Sequence, residues 1–241
     1  VTGLDPNMRT NYLYGIIVAD LNRVRLDVAA FGANYCGVLF QKCLDVKARI
    51  HTATEEVDNF DQSFASGGPL TGNNYGSVIS NCADTVVSGS GFANWHAASM
   101  GGGSYDGNIQ NTDCWYENFS SSTSYTVQSL DVHGNALRCG YKNSTGHSIS
   151  LGGKDCYYIN CKIKNNRAAT GIGRNSTVIF AEMYGGRNGL INCDIESHHN
   201  ASAASGSLVD IGITGGPVAN LVEDLHAVIH GGKLTGTTEN I

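Results

Sequence analysis

Charged residues are scarce in this chain, 15% of 241 residues, and proline is scarcer still, at 3. The usual charged fraction is about a quarter. A disordered chain would be as polar, but it would lack the recurrent Ile, Val and Leu seen here. Lys and Arg number 15 against 21 Asp and Glu, a net charge of −6, and no basic cluster occurs. A nucleic-acid partner, which requires a basic face, is therefore excluded. No apolar run reaches the length of a membrane span, and Val1 opens no signal-peptide pattern, so no membrane insertion is expected. There is no Cys-x-x-Cys, and the Cys–His spacings match no zinc pattern, so no metal is expected. Gly101-Gly-Gly103 is not followed by Lys-Ser or Lys-Thr, and Gly171-Ile-Gly173 lacks a third glycine at dinucleotide spacing. Phosphate and dinucleotide loops are thus absent, and no cofactor is expected. With no initiator Met and an abrupt end at Ile241, the sequence reads as a single domain, 1–241, cut from a longer chain.

What is abundant is glycine, 31 residues, together with Asn, Ser and Thr. Each glycine inside a helix costs about 1 kcal/mol relative to alanine, so this composition favours short strands and many turns. The cysteines then disclose a repeat. Cys43, Cys82, Cys114, Cys139, Cys161 and Cys193 each follow a polar residue within an apolar-alternating segment, as in Tyr157-Tyr-Ile-Asn-Cys161-Lys-Ile163 and Gly189-Leu-Ile-Asn-Cys193-Asp-Ile195. Leu21 and Leu225 occupy the same place at either end. Spacings along this series are 22, 39, 32, 25, 22, 32 and 32 residues. The shortest is about one turn of a parallel β-helix, and the longer ones are a turn plus an insertion.

A second strand recurs and ends in glycine: Val127 to Gly134, Ser148 to Gly153, Val178 to Gly186 and Leu208 to Gly216. Each glycine reads as a corner taken with positive φ. The expected fold is all-β, a right-handed parallel β-helix of about eight rungs, with insertions at about 50–74 and 88–106. Stacking at about 4.8 Å per rung turns the cysteines into an internal ladder of small buried hydrophobes. The competing reading is a disulfide framework.

Insertions in a solenoid leave the column, often on the working face. The first carries Asp58, Asp61 and Phe64; the second carries Trp95, His96 and Tyr105, with Trp115 close behind. Aromatic rings beside carboxylates and amides suit a carbohydrate surface, since rings stack on sugar C–H faces and polar groups take the hydroxyls. Single aromatics of this kind more often pin a loop to the column. Glycosidic hydrolysis needs two carboxyl groups. Asp131 and Glu182 each sit three residues before a glycine, which places both on the outward side with one rung between them, about 9–10 Å apart. Asp210 extends the acidic line by another rung, and His133 is positioned to orient a carboxylate or to contact substrate. Asp58 and Asp61 form an alternative pair.

The Asn160-Cys161-Lys-Ile163 and Asn192-Cys193-Asp-Ile195 rungs, the Gly-Gly corners and the Asn/Ser/Thr-rich insertions resemble the pectate-lyase-like β-helix superfamily, and within it the tailspikes of bacteriophages. The likeness runs from about Tyr14 to about Leu234. It implies a homotrimer, joined to other tail proteins in the virion and assembled in the host cytoplasm, that binds and often cleaves bacterial surface polysaccharide. Asp131-Val-His-Gly134 is faintly similar to the Gly-His-Gly of polygalacturonases, whose other motifs are missing here. Two other functions fit the same repeats: a structural or adhesive β-helix without catalysis, and a secreted polysaccharide lyase.

Overall fold

In a computed structural model the chain is described over residues 14–33, 35–54, 75–93, 96–101, 109–123, 129–165, 177–200, 209–211 and 223–239. Among the described residues 21 strands join in one continuous sheet, and successive rungs pair in parallel. With right-handed crossovers between parallel strands, this is a right-handed parallel β-helix. Eight strands stack as a first face: Tyr14–Ala19, Cys36–Gln41, Tyr75–Ser80, His96–Met100, Leu130–Val132, Ile149–Lys154, the start of Val178–Ile191, and Val209–Ile211. The second face begins with Asn22–Ala33, Leu44–Thr54, Val86–Ala93 and Trp115–Thr123. Beyond that point the second face is carried by pairs of shorter strands, first Gly140–Lys142 and Thr145–Gly146. The insertion boundaries need adjustment. Residues 50–54 continue a strand, and 88–93 and 96–100 lie in strands, so these parts belong to the column.

All eight cysteines are free and buried, as the ladder requires. They do not form one column, however. Register places Leu21, Cys43 and Cys82 at one corner, with Asn111 and Ala136 continuing it. Cys114, Cys139 and Cys156 share a second column that Asn188 continues. Cys161 and Cys193 lie in a third, preceded by Ser144. Leu225 belongs to none of them. Burial pushes the Cys36, Cys82 and Cys156 thiols up to about 12, so these sulfurs act as packing groups, not as nucleophiles.

The polar residue ahead of seven of the eight cysteines, all but Cys36, has a backbone role. Lys42, Asn81, Asp113, Arg138, Asp155, Asn160 and Asn192 all have φ between 51° and 55° and stand immediately before Cys43, Cys82, Cys114, Cys139, Cys156, Cys161 and Cys193. Left-handed backbone turns the corner and is tolerated best by Asn and Asp. The following residue then drops into the lumen. Gly89 meets a harsher constraint, with φ of +117° and the Ile50 carbonyl where a Cβ would lie. Gly89→Ala is expected to cost about 4 kcal/mol or more, measured as a lowered urea midpoint at unchanged slope.

The lumen between the faces is filled by stacked side chains. Tyr116, Tyr141 and Tyr158 are fully buried. They stack nearly parallel, with centroids 5.1 and 4.9 Å apart. Phe40 and Phe180 fill the lumen on rungs before and after them.

Candidate functional site

On the first face, Leu130 and Val132 point into the lumen, and alternation turns Asp131 to the opposite side. That side is normally wet, yet Asp131 is only 4% exposed. Register puts Ser99 on one neighbouring rung and Ser150 on the other. Ser99 Oγ donates to Asp131 Oδ2 at 3.2 Å, and His133 Nε2 lies 2.7 Å from the same oxygen. Burial pushes the Asp131 carboxyl up. The His133 and His96 charges, with hydrogen bonds from His133 and Ser150, outweigh this and hold it well below the usual carboxylate range. Asp131 is therefore a buried, ionised acceptor, unlike the solvated sheet-face carboxylate that its polar position suggests.

His133 follows two residues later, with its side chain 24% exposed. Gly101 faces it across the rung with φ of +104°, and a Cβ there would lie 2.6 Å from that of His133. The glycine thus makes room for the imidazole. His96 is buried at the start of His96–Met100, its ring 5.5 Å from that of Tyr75. With its Nε2–H donated to Asp131, His133 has a fixed tautomer, and proton exchange falls to Nδ1. An imidazole oriented by a buried carboxylate is suited to general acid–base work.

Other candidate residues fall elsewhere. Register sets Ile179, not Glu182, opposite Ser150. The strand Val178–Ile191 bulges between Phe180 and Gly185, and Glu182 sits inside that bulge. Counting back from glycine fails there because the bulge inserts extra residues. Asp210 pairs with Ile179, three rungs from Asp131, about 14 Å by strand spacing. The side chains of Glu182 and Asp210 lie outside the described residues, as do Trp95, Tyr105, Asp58 and Asp61. Trp115 is on the second face, where Lys142 Nζ sits 4.0 Å above its ring and also pairs with Glu117 at 3.2 Å. It is thus separated from the Asp131 cluster. Ser99 was not singled out from sequence. Its signal was the alignment of Ala97-Ala-Ser-Met100 with Ser129-Leu-Asp-Val132. Among the described residues no group of three His, Cys, Asp or Glu side chains is arranged to hold a metal.

The molecule is thus a parallel β-helix with a buried carboxylate–imidazole cluster on one face. The family described as Gp49, pectin lyase-like, matches residues 31–240, and the chain belongs to that family. Among solved structures, the tailspike protein gp49 from Pseudomonas phage LKA1 is similar, with a TM-score of 0.62 and 21% identity over 95% of this chain and 44% of that one. Gp54 tailspike of Acinetobacter baumannii bacteriophage AP22, solved in complex with A. baumannii capsular saccharide, gives 0.59 and 18% over 95% and 42%. Tailspike gp61 of Pseudomonas phage phi297 gives 0.60 and 20% over 81% and 31%. At these identities the shared property is the fold, and the chain spans less than half of each relative. A search of curated protein sequences finds no match.

Proposed function

We propose that this β-helix is the glycan-recognising body of a phage tailspike, and that it binds and cleaves a bacterial surface polysaccharide at the His96–Asp131–His133 cluster. The observation that carries the reading is Asp131, buried and ionised, 2.7 Å from the His133 imidazole. Burying a carboxylate costs several kcal/mol unless it is well paired, and such groups concentrate at functional sites. In this reading Asp131 orients, and His133 transfers the proton. Glu182 and Asp210 are the further carboxyl candidates, and Trp95, Tyr105 and Trp115 are candidate sugar contacts, of which Trp115 lies on the second face. The capsular saccharide in the AP22 gp54 structure supports a glycan as ligand. The working particle is a homotrimer attached to other tail proteins in the virion, acting outside the cell.

The test is incubation of the full-length parent protein with a panel of capsules and O-antigens, reading oligosaccharide products by mass and ultraviolet absorbance. One glycan is expected to be shortened by wild type, and by the His133→Ala variant about 100-fold or more slowly, within the range of acid–base contributions. An unsaturated product fits the imidazole as base. A hydrated product calls for a second carboxyl group, and directs mutagenesis to Glu182 and Asp210. Cleavage that survives His133→Ala at full rate overturns the assignment. Binding to a glycan without cleavage makes the protein an adhesin.

A further inference from the structure

The tyrosine stack reaches from the lumen to the backbone beneath the cluster. Tyr141 Oη donates to the Ala98 carbonyl at 2.8 Å and accepts from the Asp131 N–H at 3.2 Å, with the Asp131 carbonyl at 3.0 Å. Tyr158 Oη lies 3.0 Å from the carbonyls of both Leu130 and Ser150. Tyr116 Oη lies 3.0 Å from Ser77 Oγ and 3.4 Å from the Ser99 carbonyl. These backbone positions belong to the rungs that carry His96, Ser99, Asp131 and Ser150.

Packing alone does not call for these hydroxyls. Phe40 and Phe180 occupy the same lumen fully buried and without a polar atom. A buried phenol has to be hydrogen-bonded to offset its desolvation. Here three in succession are satisfied by one stretch of the first face. The Tyr141 hydroxyl touches both ends of the ladder position joining His96–Met100 to Leu130–Val132, from the side opposite the carboxylate.

We infer that Tyr141 is a positioning residue for the cluster. Its hydroxyl holds the rung bearing His96 and Ser99 against the rung bearing Asp131, and so sets the placement of the Asp131 carboxylate relative to His133. This rests on the reading of that cluster as the reactive site. A displacement of about 1 Å in such a group is enough to lose two orders of magnitude in rate. Tyr141→Phe keeps the ring stacked between Tyr116 and Tyr158 and removes only the clamp.

The test compares Tyr141→Phe with wild type, using Phe180→Leu as a lumen variant that leaves the clamp intact. For the glycan cleaved by wild type, Tyr141→Phe is expected to lower kcat about 10-fold with KM within about twofold. The acid limb of its pH–rate profile should also move. Proton NMR of the His133 ring should show a titration midpoint displaced by about half a unit, in line with a changed hydrogen bond to a charged partner. Phe180→Leu should lower the melting temperature and leave the rate profile and the His133 titration where they were. Equal kcat, pH profile and His133 midpoint in Tyr141→Phe and wild type would reduce Tyr141 to a packing residue and overturn the inference. Because the imidazole titration needs no glycan, it decides the role of Tyr141 even if no polysaccharide is cleaved, an outcome that sinks the depolymerase reading instead.

Discussion

Asp131→Asn is expected to lower polysaccharide cleavage by about 100- to 10,000-fold while the protein still folds and still binds its glycan. The substitution is isosteric, so Leu130 and Val132 keep their places in the lumen. The change is electronic. The carboxylate accepts from His133, Ser99 and Ser150 at once, and an amide presents one acceptor oxygen and a donor nitrogen to the same three groups. If the amide nitrogen turns toward His133, the ring must offer a lone pair at Nε2, and the proton moves to Nδ1. The imidazole is then in the wrong tautomer for the base role. Initial rates by reducing-end or ultraviolet assay, with glycan binding measured in parallel, check this.

The same carboxylate makes a signed prediction about acid. Its folded value is depressed by the neighbouring imidazoles and hydrogen bonds despite burial. It therefore contributes stability above the unfolded-state value near 3.9 and loses that contribution as pH falls through the lower folded value. Wild type should unfold more readily than Asp131→Asn as pH is taken below about 4, relative to their difference at neutrality. At neutral pH Asp131 stays ionised, so an acid limb above about 5 in the rate profile belongs to another group.

The repeat was legible because corners in a solenoid impose a local chemistry. A left-handed residue precedes many of the inward turns, and Asn, Asp, Lys or Arg in that place is often followed by a small side chain that fits the bend. Cysteine is one such side chain, and Ser144 and Thr85 after Asn143 and Asp84 are others. A single series of cysteines therefore merged three corners of the cross-section into one ladder. The pair Cys139–Cys161 looked like a 22-residue turn, although Cys156 is the true neighbour of Cys139. Asp131, His96 and His133 were visible as polar residues in apolar strands. Their convergence was not, because burial of an outward-facing carboxylate depends on what covers the face. The register of Glu182 was hidden for a different reason. A β-bulge leaves no mark in a hydrophobic alternation that resumes after it, so Phe180 and Met183 both face inward across an irregular step.

Asn188 supplies an expected effect on stability of the same order as that of Gly89→Ala. It continues the column of Cys114, Cys139 and Cys156, and it is fully buried. Its Oδ1 accepts from the Cys156 N–H at 2.9 Å, and its Nδ2 donates to the carbonyls of Gly153 and Gly185, each at 3.2 Å. Those three backbone groups lie at corners where the strand ladder is interrupted, so the amide side chain replaces bonds that a sheet would otherwise make. Asn188→Ala leaves them buried without that partner and opens a void. At about 1–3 kcal/mol for each unsatisfied group, and discounting for local relaxation, the loss should be about 3–5 kcal/mol. Asn111 performs a smaller version of this task, accepting from the Cys82 N–H at 3.1 Å and donating to the Ile79 carbonyl at 3.0 Å. Asn111→Ala should therefore cost less. Asn188→Cys restores the side-chain type found elsewhere in its column, but it offers no amide to the two carbonyls and should recover only part of the loss. Urea unfolding of the three variants should order them Asn188→Ala, Asn188→Cys, Asn111→Ala from least to most stable. Because each rung of a solenoid is supported by its neighbours alone, amide exchange in the Asn188 variants should rise first between Gly153 and Asn192, while the rungs around Val38 and Ile79 keep their protection.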